Sequence, residues 1–193
     1  AYAPAPALTP EIEAQAMAQI VEPVLAEMAR RGTPYRGVLY AGLMIEAGRA
    51  RLVEFNARFG DPEAQALMLR LDNDLLPILH AAATGDLSDA APVWSEHTAL
   101  TVVLAARGYP GAYATGEAIR GLDAAAAVEG VRIFHAGTRR DGEGWRSKGG
   151  RVLNVCALGR DAAEARARAY EAVGRIDWPG GFHRTDIAAP SAR

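Results

Sequence analysis

The chain has 193 residues, 50% of them hydrophobic and 23% charged, with a formal net charge of -2. That is enough apolar material for one or two small domains with real cores. The near-balanced charge and 7% aromatics supply neither the basic field nor the stacking platform of a nucleic-acid binder. No apolar run approaches the ~20 residues of a membrane-spanning helix. The single cysteine, Cys156, excludes an internal disulfide and fits a reducing cytoplasm.

Residues 1–8 are an extended Ala/Pro stretch that opens without Met, as a processed product or a fragment would. Thr9-Pro10-Glu11 starts a helix, with Thr9 as N-cap, Pro10 at the first helical position and an acid in the first turn. That helix runs to about Arg31, kinks at Pro23 and stops at Gly32. Next come two strands, "YRGVLYAGLMIE" and "ARLVEFNARF", joined by the turn Glu46-Ala47-Gly48-Arg49. They predict a hairpin with Tyr35–Ile45 and Arg49–Phe59 as antiparallel neighbours. Asp61-Pro62-Glu63 starts another helix, and "DLLPILHAAATG" is a further one, with Leu75, Leu76, Ile78 and Leu79 as core face and Gly85 at its end. A boundary falls near Pro92, in the small and polar "DLSDAAPVW".

Beyond it the pattern turns to strands. "HTALTVVLAA", "VRIFHAG" and "RVLNVCALG" read as strands, the last two flanking a polar hairpin-like tip, "TRRDGEGWRSKGG". "RGYPGAYATG" is a loop, whose "GYPG" reads either as a cover over a substrate or as a plain turn. Asp161 and Glu164 make a capping box for a helix to about Arg175. The expected class is α+β in two parts, residues 1–92 and 93–193. Cys156 reads as a buried structural thiol. His80, His97, His135 and His183 show no ligand spacing, and Trp94, Trp145 and Trp178 read as packing residues.

The chemistry concentrates in "VEFNARFGDPE". Read as a strand, it puts Glu54, Asn56 and Arg58 on one face. Glu54 and Asn56 offer two oxygens, the donors that a hard cation such as Mg²⁺ takes when phosphates complete its shell. Arg58 stands where it can steady a transferring phosphoryl group or an acyl oxyanion. The helix after Asp61 points free N–H groups the same way. A solvated edge strand is the competing reading, and E-x-N-x-R is too short to choose alone. Around Gly149 and Gly150, Lys148 and Arg151 suit either a phosphate site or a turn with solvated charges.

The run "YRGVLYAGLMIEAGRARLVEFNARFGDPEAQALMLRLDNDLL" resembles the carboxy-terminal half of the ATP-grasp domain of the phosphoribosylamine–glycine ligase (glycinamide ribonucleotide synthetase) family. "LTVVLAARGYPGAY", "FHAGT", "GGRVLNV" and "RTDI" continue the resemblance to the end of the chain. It implies the carboxy-terminal half of an ATP-grasp domain followed by a small, strand-rich C-terminal domain. It implies ATP-dependent joining of glycine to 5-phosphoribosylamine through glycyl phosphate, in purine biosynthesis. By the family's motif Glu54 and Asn56 are ligands to Mg²⁺ or Mn²⁺, and Arg58 stabilises the transferring phosphoryl group. Gly149, Gly150 and Arg151 fall where related enzymes hold a ribose phosphate, and Asp61, a helix-cap residue first, could hold the glycine ammonium. The family's adenine pocket and phosphate-binding lysines belong to an amino-terminal half absent from these residues; Lys148 is the only lysine. That half is the implied partner, and no ligase activity is expected without it. Another ATP-grasp carboxylate–amine ligase and a non-catalytic remnant of the fold are the competing functions.

Overall fold

The computed structural model describes residues 1–189, so the last four residues of the expected second part lie outside the described residues. A two-residue strand, β1 (Tyr2–Ala3), precedes helix α1 (Pro10–Ala16). Thr9 caps α1, its Oγ1 accepting from the Ile12 N–H at 3.4 Å. One π-helical turn, Met17–Val21, leads into α2 (Glu22–Arg30). This is where the sequence predicts a kink. Pro23 has no N–H to donate, and the preceding residue, Glu22, donates five residues back, to the Met17 carbonyl. Gly32, at φ +78°, ends α2 with paired bonds from Gly32 N–H to Ala29 and from Thr33 N–H to Met28, a Schellman closure.

Strands β2 (Tyr40–Glu46) and β3 (Arg49–Asn56) pair antiparallel about Ala47 and Gly48, both at positive φ, as a two-residue turn of the I′ type requires. Both are shorter than predicted. Tyr40 pairs with Asn56 at the open end, so Ala57–Phe59 have no strand left to bond. Helices α3 (Glu63–Arg70) and α4 (Leu75–Thr84) follow. The Asp74 carboxylate caps α4 through the Leu76 N–H at 2.9 Å, and Gly85 at φ +85° closes it. Of the core face predicted for α4, Leu75 and Ile78 are half-buried, whereas Leu76 is 71% and Leu79 38% exposed.

The remaining elements are β4 (Thr98–Ala106), β5 (Ala118–Ile119), α5 (Leu122–Ala126), β6 (Val131–His135), β7 (Thr138–Asp141), β8 (Gly144–Ser147), β9 (Arg151–Gly159), α6 (Ala162–Gly174) and β10 (Gly181–Phe182). The backbone forms two compact units. One holds residues 5–60 and 71–93, and thus α1, α2, the β2–β3 hairpin and α4. The other holds residues 1–4, 61–70 and, among the described residues, 94–189. A single cut near Pro92 does not describe this division, because β1 and α3 belong with the later strands. The reason for β1 is its pairing: Tyr2 with Leu100 and Ala3 with Ala99. Within the stretch read as extended, Tyr2–Ala3 form a short edge strand.

In this second unit the sheet runs β1-β4-β9-β6, with β10 also on β4, and every pair is antiparallel. Helix α6 covers β4 and β9, and α3 also packs on both. Leu100, Val102, Leu104, Val152, Leu153 and Val155 fill the core. Ala165, Ala169 and Ala172 give α6 a face of small residues against it. Gly159 completes this approach, since a Cβ there would lie 2.3 Å from the Ala165 nitrogen. Backbone cannot yield as a side chain can. Gly159→Ala is therefore expected to lower stability by about 1–3 kcal/mol, read from the urea midpoint. At the start of α6 the Asp161 carboxylate accepts from Glu164 N–H at 2.8 Å. The return bond of the predicted box lands one residue early, on Arg160 N–H at 2.7 Å.

Cys156 is fully buried in β9, its Sγ 3.1 Å from Thr101 Oγ1. Burial pushes the thiol up to about 11, against the smaller opposing effect of the Thr101 hydrogen bond. A raised folded-state value means the folded chain keeps a proton the unfolded chain releases near ~8.5. Stability should therefore fall as pH rises from that value towards 11. Thermal melts across this window check it: Cys156→Ala should lack that part of the decline, and the native thiol should resist Ellman's reagent at pH 8 until denaturant is added.

Candidate ATP-grasp site

Gly42 sits opposite Glu54 in the β2–β3 ladder, and a Cβ there would come within 3.3 Å of Glu54 Cγ. Glycine thus leaves the glutamate room to lie across the neighbouring strand. Just beyond, the ladder slips: Gly42 pairs with Glu54 but Leu43 with Leu52, so Val53 is an extra, bulged residue. A bulge of this kind re-aims the side chain beside it. Alternation alone gives no sign of it.

The three motif residues form one chain of hydrogen bonds. Asn56 Nδ2 donates to Glu54 Oε1 at 2.8 Å, and Arg58 Nη2 donates to Asn56 Oδ1 at 3.3 Å. Arg58 Nη1 also donates to the Phe59 carbonyl at 2.8 Å. Arg58 lies past the end of β3, yet its length returns the guanidinium to the strand residues. Glu54 and Arg58 are exposed and Asn56 is half-buried, so the array is open to a ligand. It holds two oxygens of the kind a hard cation takes, a carboxylate and a carbonamide, and the Asn56 amide, which here turns Nδ2 to Glu54 and Oδ1 to Arg58, must rotate for both to face one ion. Among the described residues no group of three or more His, Cys, Asp or Glu side chains makes a complete cage. Oxygens from outside the protein would have to finish the shell.

Within the second unit, Asp61 and Arg151 meet although 90 residues separate them. Arg151 Nη2 donates to Asp61 Oδ2 at 2.7 Å and Nη1 to the Asp61 carbonyl at 3.2 Å. Both side chains are more than a third exposed, so the pair adds little stability and stays accessible to solutes. The backbone N–H groups of Lys148 and Gly149 both donate to the Gly137 carbonyl, at 2.7 and 3.1 Å. These two amides are committed to the protein rather than aimed outward. Gly150 serves close packing: a Cβ there would lie 2.2 Å from Tyr109 Cδ2. Of the histidines, His135 stacks on Trp145 with centroids 3.9 Å apart and bonds Thr138 through Nδ1.

The hairpin site and the strand-rich unit first define a class, the closing part of an ATP-grasp domain with a C domain after it. A model of the phosphoribosylglycinamide synthetase ATP-grasp (A) domain matches residues 1–64, and one of the C domain of the same enzyme matches residues 99–190. The chain is 53% identical over 187 residues to a phosphoribosylamine–glycine ligase of Mesorhizobium japonicum, with 97% of this chain and 44% of that protein covered. It is 52% identical over 191 residues to the chloroplastic ligase of Arabidopsis thaliana, covering 97% of this chain and 36% of that one. The crystal structure of phosphoribosylamine–glycine ligase from Thermotoga maritima superposes with a TM-score of 0.82 at 31% identity, over 97% of this chain and 45% of that chain. The chain belongs to the phosphoribosylglycinamide synthetase family, and it spans a little under half the length of these bacterial relatives.

Proposed function

We propose that these residues are the carboxy-terminal part of a phosphoribosylamine–glycine ligase that makes glycinamide ribonucleotide in purine biosynthesis. The observation that carries this reading is the continuous Glu54–Asn56–Arg58 array on a β-hairpin, in a chain so similar throughout to ligases of that name. In the reaction a glycine carboxylate oxygen attacks the γ-phosphorus of ATP, giving glycyl phosphate and ADP. The amine of 5-phosphoribosylamine then attacks the acyl carbon, loses a proton, and phosphate leaves. Atoms balance without a covalent enzyme intermediate.

Glu54 and Asn56 would hold a divalent cation, Mg²⁺ or Mn²⁺. Such an ion, when bound, neutralises charge between the ATP phosphates. Arg58 lies within reach of the same residues and supplies a fixed positive fork for the phosphoryl group in transit. Asp61 takes the glycine ammonium through the oxygen that Arg151 leaves free. Arg151 takes the ribose phosphate, on a backbone that Gly149 and Gly150 keep close to its neighbours. The remainder of the enzyme, an amino-terminal half, is the partner that brings the adenine pocket and lysines. A cytoplasmic location belongs to the same proposal. Among the described residues no helix is long and apolar enough to cross a membrane.

The test is a substrate panel on the complete enzyme, scored by phosphate release and product mass. Glycine with freshly made phosphoribosylamine should be the productive pair. Turnover with a different carboxylate–amine pair in its place would favour another ATP-grasp ligase, and no turnover with any pair would favour a non-catalytic remnant.

A further inference from the structure

The loop 107–117 carries two tyrosines whose placement the ligase reading leaves unused. Its conformation is tightly set. Gly108 has φ +98°, and a Cβ there would lie 2.2 Å from the Ala112 carbonyl oxygen, so only glycine allows the loop to fold back on itself. Tyr109 N–H donates to the Ala106 carbonyl at 3.0 Å, and Ala106 N–H donates to the Gly150 carbonyl at 2.7 Å. The loop is thereby anchored to the residue before Arg151.

Both rings converge on Gly150. A Cβ at that position would be 2.2 and 2.7 Å from Tyr109 Cδ2 and Cε2, and 3.1 Å from Tyr113 Cε1. The rings lie 6.2 Å apart at 58° to one another. Gly150 is buried beneath them, while Tyr109 is half-buried and Tyr113 is 41% exposed. Pure packing would bury the rings, as Leu or Phe do. Here two aromatic surfaces remain partly open over Gly150, the residue that immediately precedes Arg151, whose guanidinium holds Asp61. Tyrosine combines an apolar face with a hydroxyl that donates and accepts.

We propose that Tyr109 and Tyr113, seated on Gly150, form the wall that recognises the pentose phosphate portion of the substrate beside Arg151. The inference rests on the ligase reading and deepens it. A pentose phosphate presents C–H groups on a ring face, hydroxyls at its edge and a dianion at one end. Aromatic faces suit the first, phenolic hydroxyls the second, and Arg151 the third. Gly150 is glycine so that both rings can seat on the backbone next to Arg151. Neither tyrosine touches ATP phosphates or glycine in this assignment, so the pair acts on one substrate only.

The experiment uses the complete enzyme with Tyr109→Phe, Tyr113→Phe and Gly150→Ala, each assayed by varying the three substrates separately. The Phe variants keep the ring and remove only the hydroxyl, so the packing on Gly150 survives. Expected is a rise of about 5- to 20-fold in KM for phosphoribosylamine in at least one Phe variant, with KM for ATP and glycine unchanged. That is the magnitude of one hydrogen bond lost from ground-state binding. Gly150→Ala, which must push Tyr109 aside, should show at least as large a rise. Ribose 5-phosphate, as a competitive probe, should lose affinity in parallel. Unchanged KM for phosphoribosylamine in both Phe variants, or equal shifts for all three substrates, would overturn the inference. Wild-type enzyme run alongside separates the two readings: if it makes no glycinamide ribonucleotide the ligase reading falls, and if it does while the Phe variants match it, only the tyrosine wall falls.

Discussion

In the complete enzyme, Glu54→Gln is expected to lower kcat by roughly 10²- to 10³-fold and to raise the concentration of Mg²⁺ or Mn²⁺ needed for half-maximal rate. The substitution retains an oxygen that can still accept from Asn56 Nδ2, so the hairpin and the hydrogen bond at 2.8 Å should survive. What disappears is the one negative charge of the two ligands proposed for the cation. A bound cation contributes several kcal/mol of charge stabilisation to phosphoryl transfer, and each ~1.4 kcal/mol is tenfold in rate. The change is on an exposed side chain, so stability should stay within about 0.5 kcal/mol. Steady-state kinetics at a series of metal concentrations provide the check. Wild-type kcat at wild-type metal demand would remove Glu54 from the site.

Arg58→Ala carries the second large effect, a fall in kcat of about 10²- to 10³-fold with much smaller changes in substrate KM. Arg58 uses two nitrogens at once, Nη2 on Asn56 and Nη1 on the Phe59 carbonyl. The guanidinium is therefore held in one orientation before any substrate arrives. Removing one preorganised donor aimed at developing charge costs an enzyme about 2.7–4 kcal/mol. Arg58→Lys should recover little, because an ammonium cannot span both acceptors with a planar fork. Single-turnover measurements would separate this from slow product release. A variant in which KM for ATP rises and kcat stays put would make Arg58 a binding residue instead.

Much of this was open to sequence reasoning, for reasons that differ element by element. Thr9-Pro10 and Gly32 fix the helix ends through short-range chemistry, and Ala47-Gly48 fixes the hairpin turn in the same way. An irregularity at Pro23 was equally local; that it is a π turn just before the proline depends on which carbonyl Glu22 finds. Glu54, Asn56 and Arg58 could be placed together because a strand repeats every two residues, although Arg58 lies beyond the strand and joins the others by side-chain reach. The bulge at Val53 was invisible, since it exists only in relation to β2. Long-range pairings were likewise closed to pattern reading. Nothing local tells Tyr2 to seek Leu100, Asp61 to seek Arg151, or Gly150 to lie under Tyr109. Adjacent glycines at 149–150 hint at close backbone approach in the last case, but nothing in the sequence names the loop about forty residues earlier as what approaches. The amphipathic look of α4 misled in the opposite direction, as Leu76 and Leu79 remain exposed in this chain.

The central claim is that the motif residues serve carboxylate phosphorylation, and oxygen tracing tests it most directly. Glycine labelled with ¹⁸O in both carboxylate oxygens is turned over by the complete enzyme with ATP and phosphoribosylamine, and the released phosphate is analysed by mass. Attack of the carboxylate on the γ-phosphorus carries one labelled oxygen into phosphate and leaves one in the amide product, so each phosphate should contain one ¹⁸O. Product formed with unlabelled phosphate would contradict the glycyl phosphate route and the roles given to Glu54, Asn56 and Arg58.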